Sequence, residues 1–344
     1  MSPIEEELQT FLAEWQNDSP YIEVQTSGST GTPKQMKVRK DQMLQSARLT
    51  CEYLGLKKGD KALLCMPLRY IAGKMMVVRS LYAGLDLIVR EPSGHPLADI
   101  ETQLRFAAMI PLQVYNTLQI PEERERLCRT DILIIGGGAI DTALEENIKE
   151  LPNTIYSTYG MTETLSHIAL RRLNGPDASP WYHPFSSVRL SLSKEDTLVI
   201  NAPLICDEIL ETNDIACLLP DGRFRILGRK DNIINSGGIK IQIESVEALL
   251  RPVISVNFAI TSIPDTKFGE RVVLLIEKNK QETDACSQLI QADTTVECKH
   301  FDFLPKYQRP KYVWEVNAIP MTGNGKTNRV ACRELAISIL NKIS

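Results

Sequence analysis

Thr26-Ser27-Gly28-Ser29-Thr30-Gly31-Thr32-Pro33-Lys34 is the stretch on which the rest of the chain turns. It packs hydroxyl side chains and two glycines into nine residues, directly after the β-prone run Tyr21-Ile22-Glu23-Val24-Gln25. That composition suits a phosphate loop. Glycines let successive backbone N–H groups face one anion, hydroxyls add donors, and Lys34 supplies a mobile positive charge. The spacing is not that of the common nucleotide-binding loop, because Gly28 and Gly31 stand close together and Pro33 precedes the lysine. Taken alone, such a stretch reads as a solvated loop. Three further glycine- and charge-rich motifs follow at long intervals, and all four fit one chemistry.

The 344 residues suffice for two domains and a substantial buried core. With 24% charged and 43% hydrophobic residues, the composition is that of an ordinary globular protein, not a disordered one. A net charge of −4 without a concentrated Lys/Arg block argues against nucleic acid as a partner and for small molecules. The eight cysteines (51, 65, 128, 206, 217, 286, 298, 332) form no Cys-x-x-Cys pair, and several sit in apolar runs such as Leu63-Leu64-Cys65-Met66. They read as buried thiols in a reducing compartment. The acidic start Met1-Ser2-Pro3-Ile4-Glu5-Glu6-Glu7 has no basic region followed by an apolar core, and no run approaches membrane-spanning length. A cytoplasmic protein is the expectation, and a homo-oligomer is compatible with it.

Apolar residues at 4, 8, 11, 12 and 15 predict a helix over 4–16. Met36-Lys37-Val38 predicts the return strand of a hairpin, and Asp41 helps cap a helix running to Leu54. Strands are then expected at 62–66, 85–89, 112–115 and 132–135, with helices over 72–83, 99–108 and 121–128 between them. This alternation implies a parallel sheet with helices on its faces, an α/β body. Gly136-Gly137-Gly138 ends the last of these strands, and Asp141 opens a helix. A dinucleotide fingerprint fails there because Asp141 stands where a third glycine is needed. The glycines either make a strand-end turn or let a flat ring approach the backbone at Gly137 and Gly138.

Tyr159-Gly160-Met161-Thr162-Glu163-Thr164 follows the strand Thr154-Ile155-Tyr156. An aromatic, a glycine, hydroxyls and a carboxylate at a strand end can stack a base, bind phosphate and hold a divalent cation through oxygen. A helix beginning with Thr162 and Glu163 in its first turn accounts for the same residues. From about 188 short alternating strands predict a small attached β-sheet or barrel, including a hairpin turning at Pro220-Asp221-Gly222. Gly228-Arg229-Lys230-Asp231 interrupts that pattern. We expect a boundary at Lys230/Asp231, giving domains 1–230 and 231–344, the second a compact α+β unit with a polar helix near 283–292 and a last helix after Lys326.

These motifs stand in the order found in the adenylate-forming superfamily of acyl- and aryl-CoA ligases, peptide-synthetase adenylation domains and luciferases, which the chain resembles over nearly its whole length. Thr26–Lys34 is similar to the family's phosphate loop and Tyr159–Thr164 to its adenine and magnesium motif. Thr212-Asn213-Asp214 with Gly228-Arg229-Lys230-Asp231 is similar to its ribose and hinge motifs. Ser236-Gly237-Gly238-Ile239-Lys240 resembles the loop of the thioester step, and Thr322-Gly323-Asn324-Gly325-Lys326 the loop of the catalytic lysine.

The resemblance implies ATP, Mg2+ and CoA as ligands together with a carboxylic acid. It assigns Thr26, Ser27, Gly28, Ser29, Thr30, Gly31 and Lys34 to phosphates, Tyr159 to adenine, Thr162 to the α-phosphate, Glu163 to magnesium, and Asp214 and Arg229 to ribose. Lys326 would bridge the carboxylate and the α-phosphate. Residues 231–344 would then turn about the hinge Asp231 and present Gly237-Gly238 to a thiol.

Three departures accompany the likeness. Only 25 residues precede the phosphate loop, so an amino-terminal subdomain common in the family is missing. The family's aromatic-His pair is replaced by Arg69-Tyr70, and Ile243 stands where a proline commonly follows the thioester loop.

Within the superfamily, Met66-Pro67-Leu68-Arg69-Tyr70-Ile71-Ala72-Gly73-Lys74-Met75-Met76 and Thr162–Arg171 look most like the o-succinylbenzoate–CoA ligases of menaquinone synthesis. Such a substrate needs a cation for its non-reacting carboxylate, for which Arg69 is the first choice and Lys74 the second, with Ser166 and His167 lining the same pocket. The alternatives are adenylation of another acid for CoA or a carrier-protein thiol, and a homologue that binds nucleotide or acyl ligand without turnover. Glu163 and Lys326 together favour an enzyme.

Overall fold

The computed structural model describes residues 2–25, 35–254, 256–278, 301–322 and 327–343. The phosphate-loop residues 26–34, the expected helix near 283–292 and the loop residues 323–326, with Lys326, lie outside the described residues. The chain divides into two compact units. One comprises residues 1–193, 198–212 and 217–225, the other residues 194–197, 213–216 and 226–344.

In the first unit, helix α1 (Pro3–Gln16) precedes the antiparallel hairpin of β1 (Tyr21–Gln25) and β2 (Gln35–Arg39), in which Tyr21 faces Arg39 and Gln25 faces Gln35. Helices α2 (Lys40–Leu54) and α3 (Ile71–Ala83) follow, on either side of β3 (Lys61–Leu64) in sequence. Each of the two ends on a left-handed glycine, Gly55 and Gly84. The main sheet adds β4 (Asp86–Val89), β5 (Phe106–Met109), β6 (Ile132–Ile135), β7 (Thr154–Gly160), β8 (His167–Arg172) and β9 (His183–Pro184). Its order is β4-β3-β5-β6-β7-β8-β9. Pairs from β4 to β7 are parallel, and β8 and β9 are antiparallel additions.

Strand residues of both parities are buried. Leu63, Ala107, Met109, Leu133 and Ile155 share one core with Val114, Leu127, Leu144 and Ile148 of the helices, while Ala62, Leu64, Phe106 and Ile134 are buried as well. Both faces of the sheet are therefore covered, as parallel strands require. The α/β body is thus as expected from the alternating runs.

Two of the expected elements exchange character. The segment expected as a helix over 99–108 ends in β5, and the segment expected as the strand Leu112–Tyr115 is helix α4 (Pro111–Gln119). Phe106-Ala107-Ala108-Met109 is buried at all four positions between β3 and β6, where a tertiary slot overrides the helical preference of alanine. Pro111 occupies the first helical position, and Gln113 returns its side chain to the Ile110 N–H at 3.1 Å. Leu112 and Tyr115 are consequently exposed while Val114 is buried. Helices α5 (Pro121–Cys128) and α6 (Thr142–Lys149) complete the unit, the latter capped by the Asp141 carboxylate on the Leu144 N–H at 2.9 Å.

A four-stranded sheet of β10 (Arg189–Leu192), β11 (Thr197–Asn201), β12 (Leu210–Leu218) and β13 (Phe224–Arg229) follows in that order, with the expected turn at Pro220-Asp221-Gly222.

The second unit contains β14 (Ile233–Ser236), β15 (Ile239–Gln242), helix α7 (Ile243–Leu250), β16 (Phe258–Asp265), β17 (Gly269–Glu277), β18 (Tyr312–Val316) and helix α8 (Arg329–Ile343). The order is β15-β14-β17-β16, with β18 parallel to β17. Val246 and Leu250 of α7 share a core with Ile260, Leu274 and Ile276, whereas Cys332 and Ala336 of α8 share another with Ala259, Val273, Leu275 and Trp314. Alternate residues of β17 thus serve two helices on opposite faces, a compact α+β arrangement.

Candidate active site

In the first unit, β7 runs out at Tyr159-Gly160, where the register with β8 shifts. Gly160 is required by close approach: a Cβ there would lie 2.2 Å from the Ser166 carbonyl oxygen and 2.6 Å from His167 Cα. The residues between make a tight turn, not the start of a helix. Leu165 N–H donates to Thr162 O at 2.9 Å, and Leu165 adopts φ 64°, a conformation costing a non-glycine residue about 1–2 kcal/mol. The Thr164 hydroxyl accepts from Met161 N–H at 3.0 Å and lies 2.8 Å from Ser166 O, holding the turn from inside. Thr162 is half-buried and Glu163 exposed, so their side chains are not consumed by packing.

Tyr159 is braced by two rings, Phe224 at 5.1 Å edge-on and Tyr182 at 5.9 Å, which are themselves stacked 5.4 Å apart. The Tyr182 hydroxyl shares a hydrogen bond with Ser157 Oγ at 2.8 Å. A fixed aromatic of this kind is preorganised to receive a flat ring. The glycines after β6 have structural reasons of their own. A Cβ on Gly136 would lie 2.4 Å from Thr158 Oγ1, and Gly137 has φ 78°.

Ser166 and His167, quoted above as pocket residues, lie in one network with two residues that the sequence reading passed over. Arg79 of α3 donates from Nη2 to Ser166 Oγ at 2.5 Å, Ser166 Oγ lies 3.2 Å from His167 Nδ1, and His167 Nε2 lies 3.1 Å from Thr50 Oγ1. Arg79 is only 2% exposed. Among the described residues its Nε has no hydrogen-bond partner, the other hydrogen bond of its side chain is to Met76 Sδ at 3.6 Å, and no carboxylate lies in ion-pair range. Burial pushes its pKa down to about 10, leaving the guanidinium charged at neutral pH. A buried charge with no counter-ion among the described residues is costly, which makes Arg79 a candidate for holding an anion.

The other cations lie elsewhere. Lys74 is buried with Nζ 3.6 Å from Glu14 Oε2 and over the Phe11 ring of α1, and Arg69 is exposed beside the Tyr70 ring. Neither is joined to Ser166 or His167. A signal for Arg79 was nevertheless present, since a lone arginine closes the apolar run Met75-Met76-Val77-Val78.

Burial, then the neighbouring Arg79 charge, hold His167 well below its usual value of 6.5. Below that value the unfolded chain binds a proton that the folded one refuses, so stability is full above about pH 6.5 and falls as pH drops. Thermal melts between pH 7 and pH 5 should show this loss, with a shallower slope in His167→Gln. Equal slopes would show that His167 is not the group responsible.

In the second unit, Arg229 donates to Asp214 at 3.2 Å and to Asp231 at 2.6 Å, while Gln242 donates to the Arg229 carbonyl at 2.9 Å. The three residues quoted for ribose and hinge thus form one cluster. Gly237 and Gly238 make a two-residue hairpin turn between Ser236 and Ile239 with φ 59° and 80°, as such hairpins need. A Cβ on Gly238 would meet nothing within 4 Å.

Residues 3–199 match the AMP-binding enzyme family. The chain belongs to that family. An acyl-CoA synthetase (AMP-forming)/AMP-acid ligase II-like protein from Dyadobacter fermentans is 31% identical, with 96% of this chain and 94% of that one aligned at a TM-score of 0.65. Among curated relatives of this AMP-binding chain, the 2-succinylbenzoate–CoA ligase of Lactococcus lactis is 23% identical over 340 residues, covering 93% of this chain and 72% of the relative. The 2-succinylbenzoate–CoA ligase of Salmonella typhimurium is 26% identical over 296 residues, covering 82% of this chain and 63% of the relative. This AMP-binding chain therefore spans about two thirds of the length of these ligases. Among its described residues no helix is long and apolar enough to cross a membrane.

Proposed function

We propose that the chain is an AMP-forming acid–CoA ligase acting on o-succinylbenzoate, a step of menaquinone biosynthesis. The observation that carries the choice of acid is Arg79, a buried guanidinium with no carboxylate in ion-pair range among the described residues, hydrogen-bonded to Ser166. A dicarboxylate leaves one carboxylate to react and brings one to be neutralised, which is what such a cation is suited to.

In the first half-reaction an oxygen of the reacting carboxylate attacks the α-phosphorus of ATP, the bond to the bridging oxygen breaks, and pyrophosphate leaves. Tyr159, braced by Phe224 and Tyr182, stacks on adenine, Asp214 and Arg229 take the ribose, and Thr162 meets the α-phosphate. Glu163, an exposed oxygen donor at the turn, would hold Mg2+, which when bound would supply neutralisation of charge on the phosphates. Thr26–Lys34 and Lys326 complete the charge stabilisation. In the second half-reaction the CoA thiolate attacks the acyl carbon and AMP leaves.

Asp231 is the hinge between the two states, and the open surface beyond Gly238 suits the approach of a thiol. Gly238→Val should slow thioester formation at least tenfold while leaving pyrophosphate release within about twofold, checked by timing the two half-reactions separately. Equal losses in both would remove Gly238 from the thiol path. The six described cysteines are free thiols, which supports a reducing, cytoplasmic setting.

The experiment for the substrate is pyrophosphate release from MgATP across a panel of acids, with and without CoA. Fastest release with o-succinylbenzoate is expected, and preference for a monocarboxylate analogue lacking the distal group would overturn the choice of acid.

A further inference from the structure

The network around Arg79 contains two hydroxyls, each with one proton, and one imidazole, so the direction of every hydrogen bond in it can be worked out. Thr50 Oγ1 lies 3.1 Å from the Ser46 carbonyl oxygen one turn earlier in α2 and 3.1 Å from His167 Nε2. Ser166 Oγ lies 3.2 Å from His167 Nδ1 and accepts from Arg79 Nη2. His167 is 5% exposed and neutral, so it has one N–H and one bare nitrogen.

Two wirings are possible. In the first, Thr50 donates to Ser46 O, His167 donates from Nε2 to Thr50, Ser166 donates to His167 Nδ1, and Arg79 donates to Ser166. Each of these four contacts is then a hydrogen bond, and no hydroxyl or imidazole proton is idle. In the second, Thr50 donates to Nε2 and His167 donates from Nδ1 to Ser166. That leaves the Thr50 and Ser46 oxygens facing each other at 3.1 Å without a proton between them, and leaves the Ser166 proton without an acceptor in the network. Unmade hydrogen bonds in a buried setting are costly, so the first wiring prevails.

We infer that Thr50 and His167 are positioning residues: by taking up the Ser166 proton they fix the direction of the lone pair that Ser166 Oγ offers to Arg79, so that the remaining guanidinium donors are held for an acceptor-only group, a carboxylate. This rests on the reading of Arg79 as the cation for the distal carboxylate and deepens it. The relay starts at a backbone carbonyl in α2, passes through β8 and ends on α3, so it sets the orientation of the guanidinium from outside its own helix. The guanidinium held in this way presents donors only. It selects a carboxylate over the neutral carboxamide of the same shape, whose N–H groups would meet no acceptor there.

The test uses the full-length protein with isotope-labelled histidine, whose ring nitrogens are read by long-range proton–nitrogen correlation. The signal of His167 among the four histidines is identified by its loss in His167→Gln. Wild type is expected to carry the proton on Nε2. In Thr50→Val the Nε2 proton loses its acceptor, so the proton is expected to move to Nδ1, and Thr50→Ser is expected to restore the wild-type tautomer. In kinetics, Thr50→Val should lose about tenfold in kcat/KM for the dicarboxylate with the KM for ATP and turnover of a monocarboxylate analogue unchanged, and Thr50→Ser should recover it.

A wild-type Nδ1–H tautomer or an imidazolium overturns the wiring, and equal losses on both acids in Thr50→Val reduce Thr50 to a packing residue. The Nε2 tautomer in a protein that does not turn over the dicarboxylate would uphold the wiring and refute the substrate.

Discussion

Lys326→Ala is expected to slow acid-dependent pyrophosphate release by about two to three powers of ten, the loss typical when a preorganised donor to developing transition-state charge is removed. Thioester formation from supplied acyl-adenylate should stay within a few-fold of wild type, because the lysine is assigned to the first half-reaction alone. The argument rests on position in the sequence, since Lys326 lies outside the described residues. It closes the stretch Thr322-Gly323-Asn324-Gly325-Lys326 immediately before Thr327 and α8. Single-turnover measurements of the two half-reactions decide the matter. Equal losses in both would refute the assignment of Lys326 to adenylation and with it the alternation of the carboxy-terminal residues about Asp231.

Arg79→Met separates function from stability in a way few substitutions do. Removing a charge-assisted contact to the distal carboxylate costs about 1.5–3 kcal/mol, or about one to two powers of ten in kcat/KM for the dicarboxylate. The monocarboxylate analogue should be turned over as before. At the same time the fold loses a buried charge that no carboxylate among the described residues compensates and gains an apolar side chain of similar length, an exchange that is neutral or stabilising. The melting temperature should therefore be equal to or above that of wild type. A variant that loses the same factor on both acids, or that melts well below wild type, would make Arg79 a structural residue.

Much of this architecture was legible in the sequence because it follows from local rules. Branched apolar runs gave β3, β4 and β6, and Asp141 gave the start of α6. Pro220-Asp221-Gly222 between two apolar runs gave the turn between β12 and β13. The fold departs from these rules where tertiary context decides. Phe106–Met109 has a helix former at its centre and becomes a strand because only the space between β3 and β6 accepts four buried residues in a row. Leu112–Tyr115 looks like a strand until Pro111 and Gln113 are seen to begin a helix.

The site divides along the same line. Tyr159, Ser166 and His167 belong to one contiguous motif and could be quoted from the sequence, whereas their partners come from far along the chain. Arg79 is 87 residues from Ser166, and Thr50 is 117 from His167. Nothing in local spacing connects them. The sequence reading chose Arg69 first and Lys74 second and passed over Arg79, which lies within a few helical turns of both. Packing separates the three. Lys74 is taken up by Glu14 and Phe11 of α1, Arg69 is exposed, and Arg79 is buried with no counter-ion among the described residues.

The most direct test of the account omits CoA. The enzyme, MgATP and o-succinylbenzoate are incubated together and the nucleotide products identified. The account predicts pyrophosphate and an AMP-linked acid in equal amounts, formed before any thiol is present. Acid-dependent release of ADP with no AMP-linked product would contradict it.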